Sequence, residues 1–251
     1  MTSLRERARG GERLLGALLR MPSEELVEMA AVAGFDFVLI DCEHGPADIT
    51  ALRHHIALAE VHGVAVVVRV GENDRAQILR VLDQGAEGIV APHIESGAEA
   101  GMLVDAALYP PHGSRGFATY GRAGRFGETP ADEHLRRSLE NTLVLGMIES
   151  PHAVAMAAEI IAAPRLDGIL VGPADLAVAS GPDDLPLADA IAAVHAELAR
   201  AKSLRMDIVS TRDAAERAFA GGADLVVYNL TASLMTHLRD LASPLRAGWR
   251  P

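Results

Sequence analysis

Residues 23–46, SEELVEMAAVAGFDFVLIDCEHGP, hold one complete structural unit. Ser23 with Glu24 and Glu25 reads as the capped, acidic start of an amphipathic helix over Ser23–Ala33, and Gly34 as its stop. Phe35–Asp41 is apolar with little alternation, as a strand covered on both faces should be. A polar cluster, Asp41-Cys42-Glu43-His44-Gly45, follows the strand directly.

The same order recurs along the chain. Strands are predicted at Leu14–Leu19, Phe35–Asp41, Val64–Val70, Gly88–Pro92, Thr142–Glu149, Gly168–Gly172, Met206–Ser210 and Ala223–Tyr228. Helical patterns over Ala47–His62, Asp74–Gln84 and Ala214–Ala220 also stop at glycine. Repeated strand, helix and glycine is the signature of βαβ units, and eight rounds predict a closed α/β fold, a (β/α)8 TIM barrel. A doubly wound open sheet is the rival architecture, disfavoured because no Gly-x-Gly-x-x-Gly follows the first strand. The long irregular stretch is Tyr109–Thr129, of a length that is usually functional or flexible. No linker composition divides the chain, so residues 1–251 read as a single barrel domain.

Composition agrees with buried parallel strands under Ala- and Leu-rich helices: 49% of residues are hydrophobic and only 4% aromatic. The formal charge of −11 argues against nucleic acid and anionic bilayers as partners. Cys42 is the one cysteine, which excludes an intrachain disulfide and a thiolate metal cluster. The Arg/Glu-rich start, Met1–Arg13, does not read as a secretory signal, and no apolar run nears the ~20 residues of a membrane span. A soluble cytoplasmic protein is expected.

In a barrel the loops after the strand C-termini build the active site, so the polar residues standing there are the candidates. Glu149 and Asp175, after strands five and six, suit a hard octahedral cation; each alone is equally a solvated loop acid. His44 lies three residues after Asp41, whose carboxylate is expected to orient the imidazole for acid–base work; a helix-capping or exposed histidine is the plain alternative. Arg69 interrupts Val-Val-Val-Arg-Val and must meet an anion, either Asp41 or Glu43 or a developing enolate oxygen. Lys202, the sole lysine, sits near the end of a helical segment rather than on a strand, which argues against a Schiff-base mechanism. His93 and Glu95 read equally as pocket lining or polar rim.

Taken in order, FDFVLIDCEHGP (Phe35–Pro46), VVRVGEND (Val67–Asp74), YPPHGSRG (Tyr109–Gly116), GRAGRFG (Gly121–Gly127), MIES (Met147–Ser150) and DGILVGPADL (Asp167–Leu176) give the chain a clear resemblance. It resembles the HpcH/HpaI family of class II, metal-dependent pyruvate aldolases. The resemblance implies that Glu149 and Asp175 hold a divalent cation (Mg²⁺, Mn²⁺ or Co²⁺). It also implies that the backbone around Gly172, Pro173, Ala174 and Asp175 receives the pyruvate carboxylate. Arg69 would stabilise the enolate oxygen, and His44, Asp41 and Asp83 would serve the proton transfers, Asp83 in a neighbouring subunit's site. A hexamer, a dimer of trimers, is implied, with the C-terminal helix Thr231–Leu245 exchanged between partners.

The expected reaction is reversible aldol cleavage of a 4-hydroxy-2-oxo acid to pyruvate and an aldehyde through a pyruvate enolate. Met147 stands where relatives often carry Gln, Leu18 where an aromatic residue often lines the pocket, and Tyr228-Asn229-Leu230-Thr231 at the end of strand eight. These departures keep two alternatives open: oxaloacetate decarboxylation, and a citrate-lyase-like or citrate-synthase-like condensation with an acyl-CoA. The latter needs a basic groove, which the arginines of Arg115–Arg125 would have to supply.

Overall fold

In the computed structural model, which describes residues 2–46 and 48–246, eight parallel strands close on themselves in sequence order. They are β1 (Leu14–Leu19), β2 (Phe37–Asp41), β3 (Ala65–Arg69), β4 (Gly88–Ala91), β5 (Leu143–Ile148), β6 (Gly168–Val171), β7 (Leu204–Val209) and β8 (Leu225–Asn229). Each lies within a residue or two of the run expected for it, and the barrel excludes the open-sheet rival.

The helices are α1 (Leu4–Arg9), α2 (Glu24–Val32), α3 (Ile49–Val61), α4 (Arg75–Asp83), α5 (Gly97–Ala107) and α6 (Ala131–Asn141). After them come α7 (Pro151–Ala155), α8 (Ala157–Ile161), α9 (Pro173–Ala179), α10 (Leu187–Ala201), α11 (Arg212–Ala220) and α12 (Leu230–Arg246). Local chemistry sets their starts. The side chains of Ser23, Asp48, Asp74 and Thr211 each accept a backbone N–H from the first turn that follows, satisfying a donor the helix cannot. The chain then reverses through left-handed glycines, Gly34 at φ +89° and Gly85 at φ +101°. Ala47, the expected first residue of the helix after β2, lies outside the described residues; that helix begins at Ile49 behind Asp48.

Side chains alternate across each strand, so one parity fills the barrel and the other meets the helices. Leu14, Leu18, Phe37, Leu39, Val67, Leu143, Leu145, Met147 and Leu170 pack together inside. Val38, Ile40, Val66, Val68, Val144 and Ile169 pack outward against the helix layer. Phe37 fills space left by Gly16: a Cβ there would stand 2.4 Å from the Phe37 ring.

Two features were not expected. Helix α1 crosses the N-terminal end of the barrel, with Leu4 and Ala8 buried and Arg5 and Arg9 both bonded to Asp167. The Tyr109–Thr129 stretch contains a 3-10 segment, Arg122–Gly127, in which Arg125 and Phe126 adopt left-handed backbone angles. Lys202 caps α10 at φ +54°, ahead of β7, which is no place for an imine-forming lysine. Among the described residues no helix is long and apolar enough to cross a membrane.

Candidate active site

Parity decides which polar side chains reach the mouth. Continuing the inward series of β2 (37, 39) gives Asp41; β3 (65, 67) gives Arg69; β5 (143, 145, 147) gives Glu149; and β6 (170) gives Gly172. Asp41 and Arg69 are direct register partners on adjacent strands.

They form a bidentate pair, Arg69 Nε to Asp41 Oδ1 at 3.0 Å and Nη2 to Oδ2 at 2.5 Å, with both residues almost fully buried. Asp41 also accepts Arg20 Nε at 3.0 Å and the backbone N–H groups of Glu43 and His44 at 3.1 Å. Burial alone would raise the Asp41 carboxyl, but Arg69, the His44 N–H and Arg20 outweigh it and hold it below the usual carboxylate range. Burial likewise acts to lower the Arg69 pKa, and Asp41, Glu43 and Glu149 together drive it above its ordinary value. Arg69 Nη1 stands 3.1 Å from Glu43 Oε2 and 4.0 Å from Met147 Sδ, so the thioether packs on the guanidinium.

Glu149 is 3% exposed and accepts the His93 backbone N–H at Oε1, 2.7 Å away. Burial raises its carboxyl above the ordinary value; the His93 N–H opposes that, and the charges of Glu43 and Asp175 add to it. Gly172 gives this side chain its space: a Cβ there would stand 2.6 Å from Glu149 Oε2. Asp175 is exposed in the first turn of α9, close enough for its charge to act on Glu149. Pro173 and Ala174 are exposed beside it.

One expectation needs correction. Asp41 does not orient the His44 imidazole; it is spent on Arg69, Arg20 and backbone N–H groups, one of them His44's own. The His44 ring is 52% exposed, with Nε2 3.7 Å from Glu43 Oε2. Asp83, at the C-terminus of α4, is not brought to the mouth within one chain. It accepts Arg115 Nη2 at 2.6 Å, and Arg115 lines a cavity of about 910 Å³ with Leu4, Ala65 and Glu87 at the barrel's other end.

Sequence reasoning gave too little weight to His93 and Glu43. His93 follows β4 at φ +53°, with Nδ1 3.0 Å from Glu149 Oε1 and Nε2 3.5 Å from Glu43 Oε1. Together Glu43, His93 and Glu149 offer donor atoms all within 4.8 Å of one another. The available signal was position: His93 stands just beyond a strand end, as Glu43 and Glu149 do. Cys42 has no part in this group, because burial, reinforced by Asp41, pushes its thiol up to about 11.

Comparison with known proteins gives the family. Residues 17–234 match the HpcH/HpaI aldolase/citrate lyase family. The chain is 34% identical to a hydroxypyruvate/pyruvate aldolase of Sagittula stellata over 248 residues, 96% of this chain and 95% of that one. It is 33% identical to a pyruvate aldolase of Rhizobium etli over 80% of this chain and 78% of the relative. An HpcH/HpaI aldolase from Desulfitobacterium hafniense superposes over the full length of both chains with a TM-score of 0.90 at 25% identity. The chain belongs to the HpcH/HpaI aldolase/citrate lyase family.

Proposed function

We propose that this protein is a class II pyruvate aldolase: it cleaves a 4-hydroxy-2-oxo acid to pyruvate and an aldehyde, reversibly, with a divalent cation. The observation that carries the reading is the charge at the mouth. Asp41, Glu43 and Glu149 surround the Arg69 guanidinium, Asp41 also meets Arg20, and the charge of Asp175 acts on Glu149; four carboxylates against two guanidiniums leave two negative charges, which one divalent cation balances. The donor set is carboxylate oxygen, and the space at Gly172 keeps Glu149 Oε2 clear, so the residues fit such an ion.

Glu149 and Asp175 would hold the cation, which when bound supplies Lewis acidity for a chelating 2-oxo acid. The chain's own groups do the rest. The backbone of Gly172, Pro173, Ala174 and Asp175, at the N-terminus of α9, would receive the substrate carboxylate. Arg69, locked by Asp41, faces the mouth as a preorganised cation for the negative charge that grows on the keto oxygen as C3–C4 breaks. His44 is exposed at the rim, where its imidazole would take the proton of the 4-hydroxyl. The electrons of the broken bond form the pyruvate enolate, which collects a proton at C3, and the former C4 leaves as the aldehyde carbon.

The acyl-CoA alternative is the weaker reading. Arg115 is engaged with Asp83 and Arg122 with Glu60, and these two and Arg125 line the cavity at the far end of the barrel, away from the mouth. We further propose the hexameric assembly, in which a neighbour's mouth would take up Asp83; light scattering on the purified protein tests it.

The experiment for the activity is pyruvate release from a panel of 4-hydroxy-2-oxo acids after chelation, then with Mg²⁺, Mn²⁺ or Co²⁺ restored. Release that disappears with the chelator and returns with an ion supports the proposal. No release under any ion, from folded protein that still binds pyruvate or oxaloacetate, overturns it in favour of oxaloacetate decarboxylation or CoA-dependent condensation.

A further inference from the structure

His93 is the mouth residue whose conformation needs explaining. A left-handed backbone at a non-glycine residue is uncommon, and such angles concentrate at functional sites. Here φ +53° is stabilised by the His93 N–H bond to Glu149 Oε1, 2.7 Å long. The turn carries the imidazole back over the same carboxylate while 62% of the side chain stays open to solvent. Its two nitrogens then face two different acids: Nδ1 stands 3.0 Å from Glu149 Oε1, and Nε2 stands 3.5 Å from Glu43 Oε1.

Glu43 is the second observation. Its side chain is only 9% exposed, yet Oε2 makes no hydrogen bond and has Arg69 Nη1 at 3.1 Å and His44 Nε2 at 3.7 Å beside it, while Oε1 faces His93 Nε2. A buried carboxylate left short of donors is costly unless another partner completes it. From Arg69 the groups run through Glu43 to the His93 ring and on to Glu149.

That sequence of groups matches the way proteins hold an imidazole ligand. One ring nitrogen takes the ion, and the other donates its N–H to a carboxylate that fixes ring and tautomer. The spacing also fits, since neighbouring donors of an octahedral ion at ~2.1 Å stand about 3 Å apart, as His93 Nδ1 and Glu149 Oε1 do.

We propose that His93 Nδ1 is a protein ligand of the divalent cation beside Glu149, with Glu43 orienting the ring through Nε2. This rests on the reading of the mouth as a cation site and adds a nitrogen donor to an otherwise oxygen-only set. A mixed set favours Co²⁺ and Ni²⁺ over Mg²⁺, because imidazole binds later first-row ions more strongly while Mg²⁺ prefers oxygen. The chain would therefore be selective among ions by virtue of one residue after β4.

The test uses the full chain without substrate. Mn²⁺ is added to metal-free protein, and pulsed electron paramagnetic resonance looks for nitrogen coupled to the bound ion. Calorimetry then gives Co²⁺ and Mg²⁺ affinities for the unaltered protein, His93→Ala and Glu43→Gln, with thermal unfolding confirming that each variant folds. The expected result is imidazole nitrogen coupling in the unaltered protein, lost in His93→Ala. Co²⁺ affinity should fall at least tenfold in that variant and Mg²⁺ affinity by less, with an intermediate loss of Co²⁺ affinity in Glu43→Gln. Mn²⁺ bound without nitrogen coupling overturns the His93 assignment and leaves the cation site standing. Equal losses for Co²⁺ and Mg²⁺ in His93→Ala overturn it too. No binding of any ion overturns both the assignment and the cation reading beneath it.

Discussion

The two ends of the barrel bury carboxylates in opposite ways. At the N-terminal end Asp167, 1% exposed, is saturated: it accepts Arg5 Nε at 2.8 and 2.9 Å, Arg9 Nη2 at 2.6 Å and the Val144 N–H at 2.9 Å. At the mouth Glu149 is 3% exposed, and its hydrogen bond from protein is the one from the His93 N–H; Glu43 has an oxygen without any. A buried acid with every lone pair answered is a structural fastening, here tying α1 across the barrel floor. Buried acids left short of donors destabilise the fold on their own account, and such groups are retained where something else completes them. The contrast separates architecture from chemistry more sharply than burial or charge alone.

The strongest way to break that comparison is at Arg69, which belongs to both categories. Arg69→Lys keeps a cation against Asp41 but loses the bidentate fork, so kcat should fall about 10²–10³-fold while the fold survives. Steady-state kinetics beside a melting curve checks this, and near-normal turnover would sink the electrostatic role. At the other end Asp167→Asn leaves Arg5 and Arg9 facing a neutral amide. A loss of about 3 kcal/mol of stability is expected, the low end for a buried pair because Arg9 is half exposed. Denaturant titration measures it, and kcat of the folded fraction should be unchanged; a kcat effect as large as that of Arg69→Lys would erase the distinction between the two ends.

Smaller changes sharpen the contrast. Gly172→Ala would place a methyl 2.6 Å from Glu149 Oε2 and 3.3 Å from Met147 Cε, forcing the carboxylate to move. Overpacking of this kind costs about 1–3 kcal/mol, and it should appear as weaker Mn²⁺ binding in calorimetry. Unchanged affinity would show that Glu149 has slack.

The smallest effect is expected at His55 on α3, a buried polar group at neither end. It is 1% exposed and both ring nitrogens lack hydrogen-bond partners. Burial is the main cause that depresses its pKa; Glu24 opposes that and His54 adds to it. The native state thus resists a proton that the unfolded chain accepts near the ordinary histidine pKa of about 6.5. Stability from this residue is complete above that pH and is lost as pH falls below it. His55→Leu should flatten the decline of Tm between pH 7 and 5, leaving the part due to His134 and His195, which are shifted the same way. An unaltered pH profile would remove His55 from the account.

Much of this was legible in the residues. Eight apolar runs, each followed by polar groups and separated by capped helices, fix the barrel, because strand and helix signals are local. The inward aim of Asp41, Arg69 and Glu149 was legible for the same reason: a strand alternates sides residue by residue, so counting from Leu39, Val67 or Met147 is enough. What counting does not reach is any side chain whose direction is set beyond a strand end. His44 points to the rim because Asp41 holds its backbone; His93 turns back because its N–H finds Glu149 across the mouth. Asp83 and Arg115 meet, and α1 docks on Asp167, through contacts between residues 32 and 158 or more positions apart. The sequence by itself therefore determined the barrel and the polar residues at its strand ends. Only the tertiary structure decided which of them converge, because loop geometry follows from long-range partners that no local period encodes.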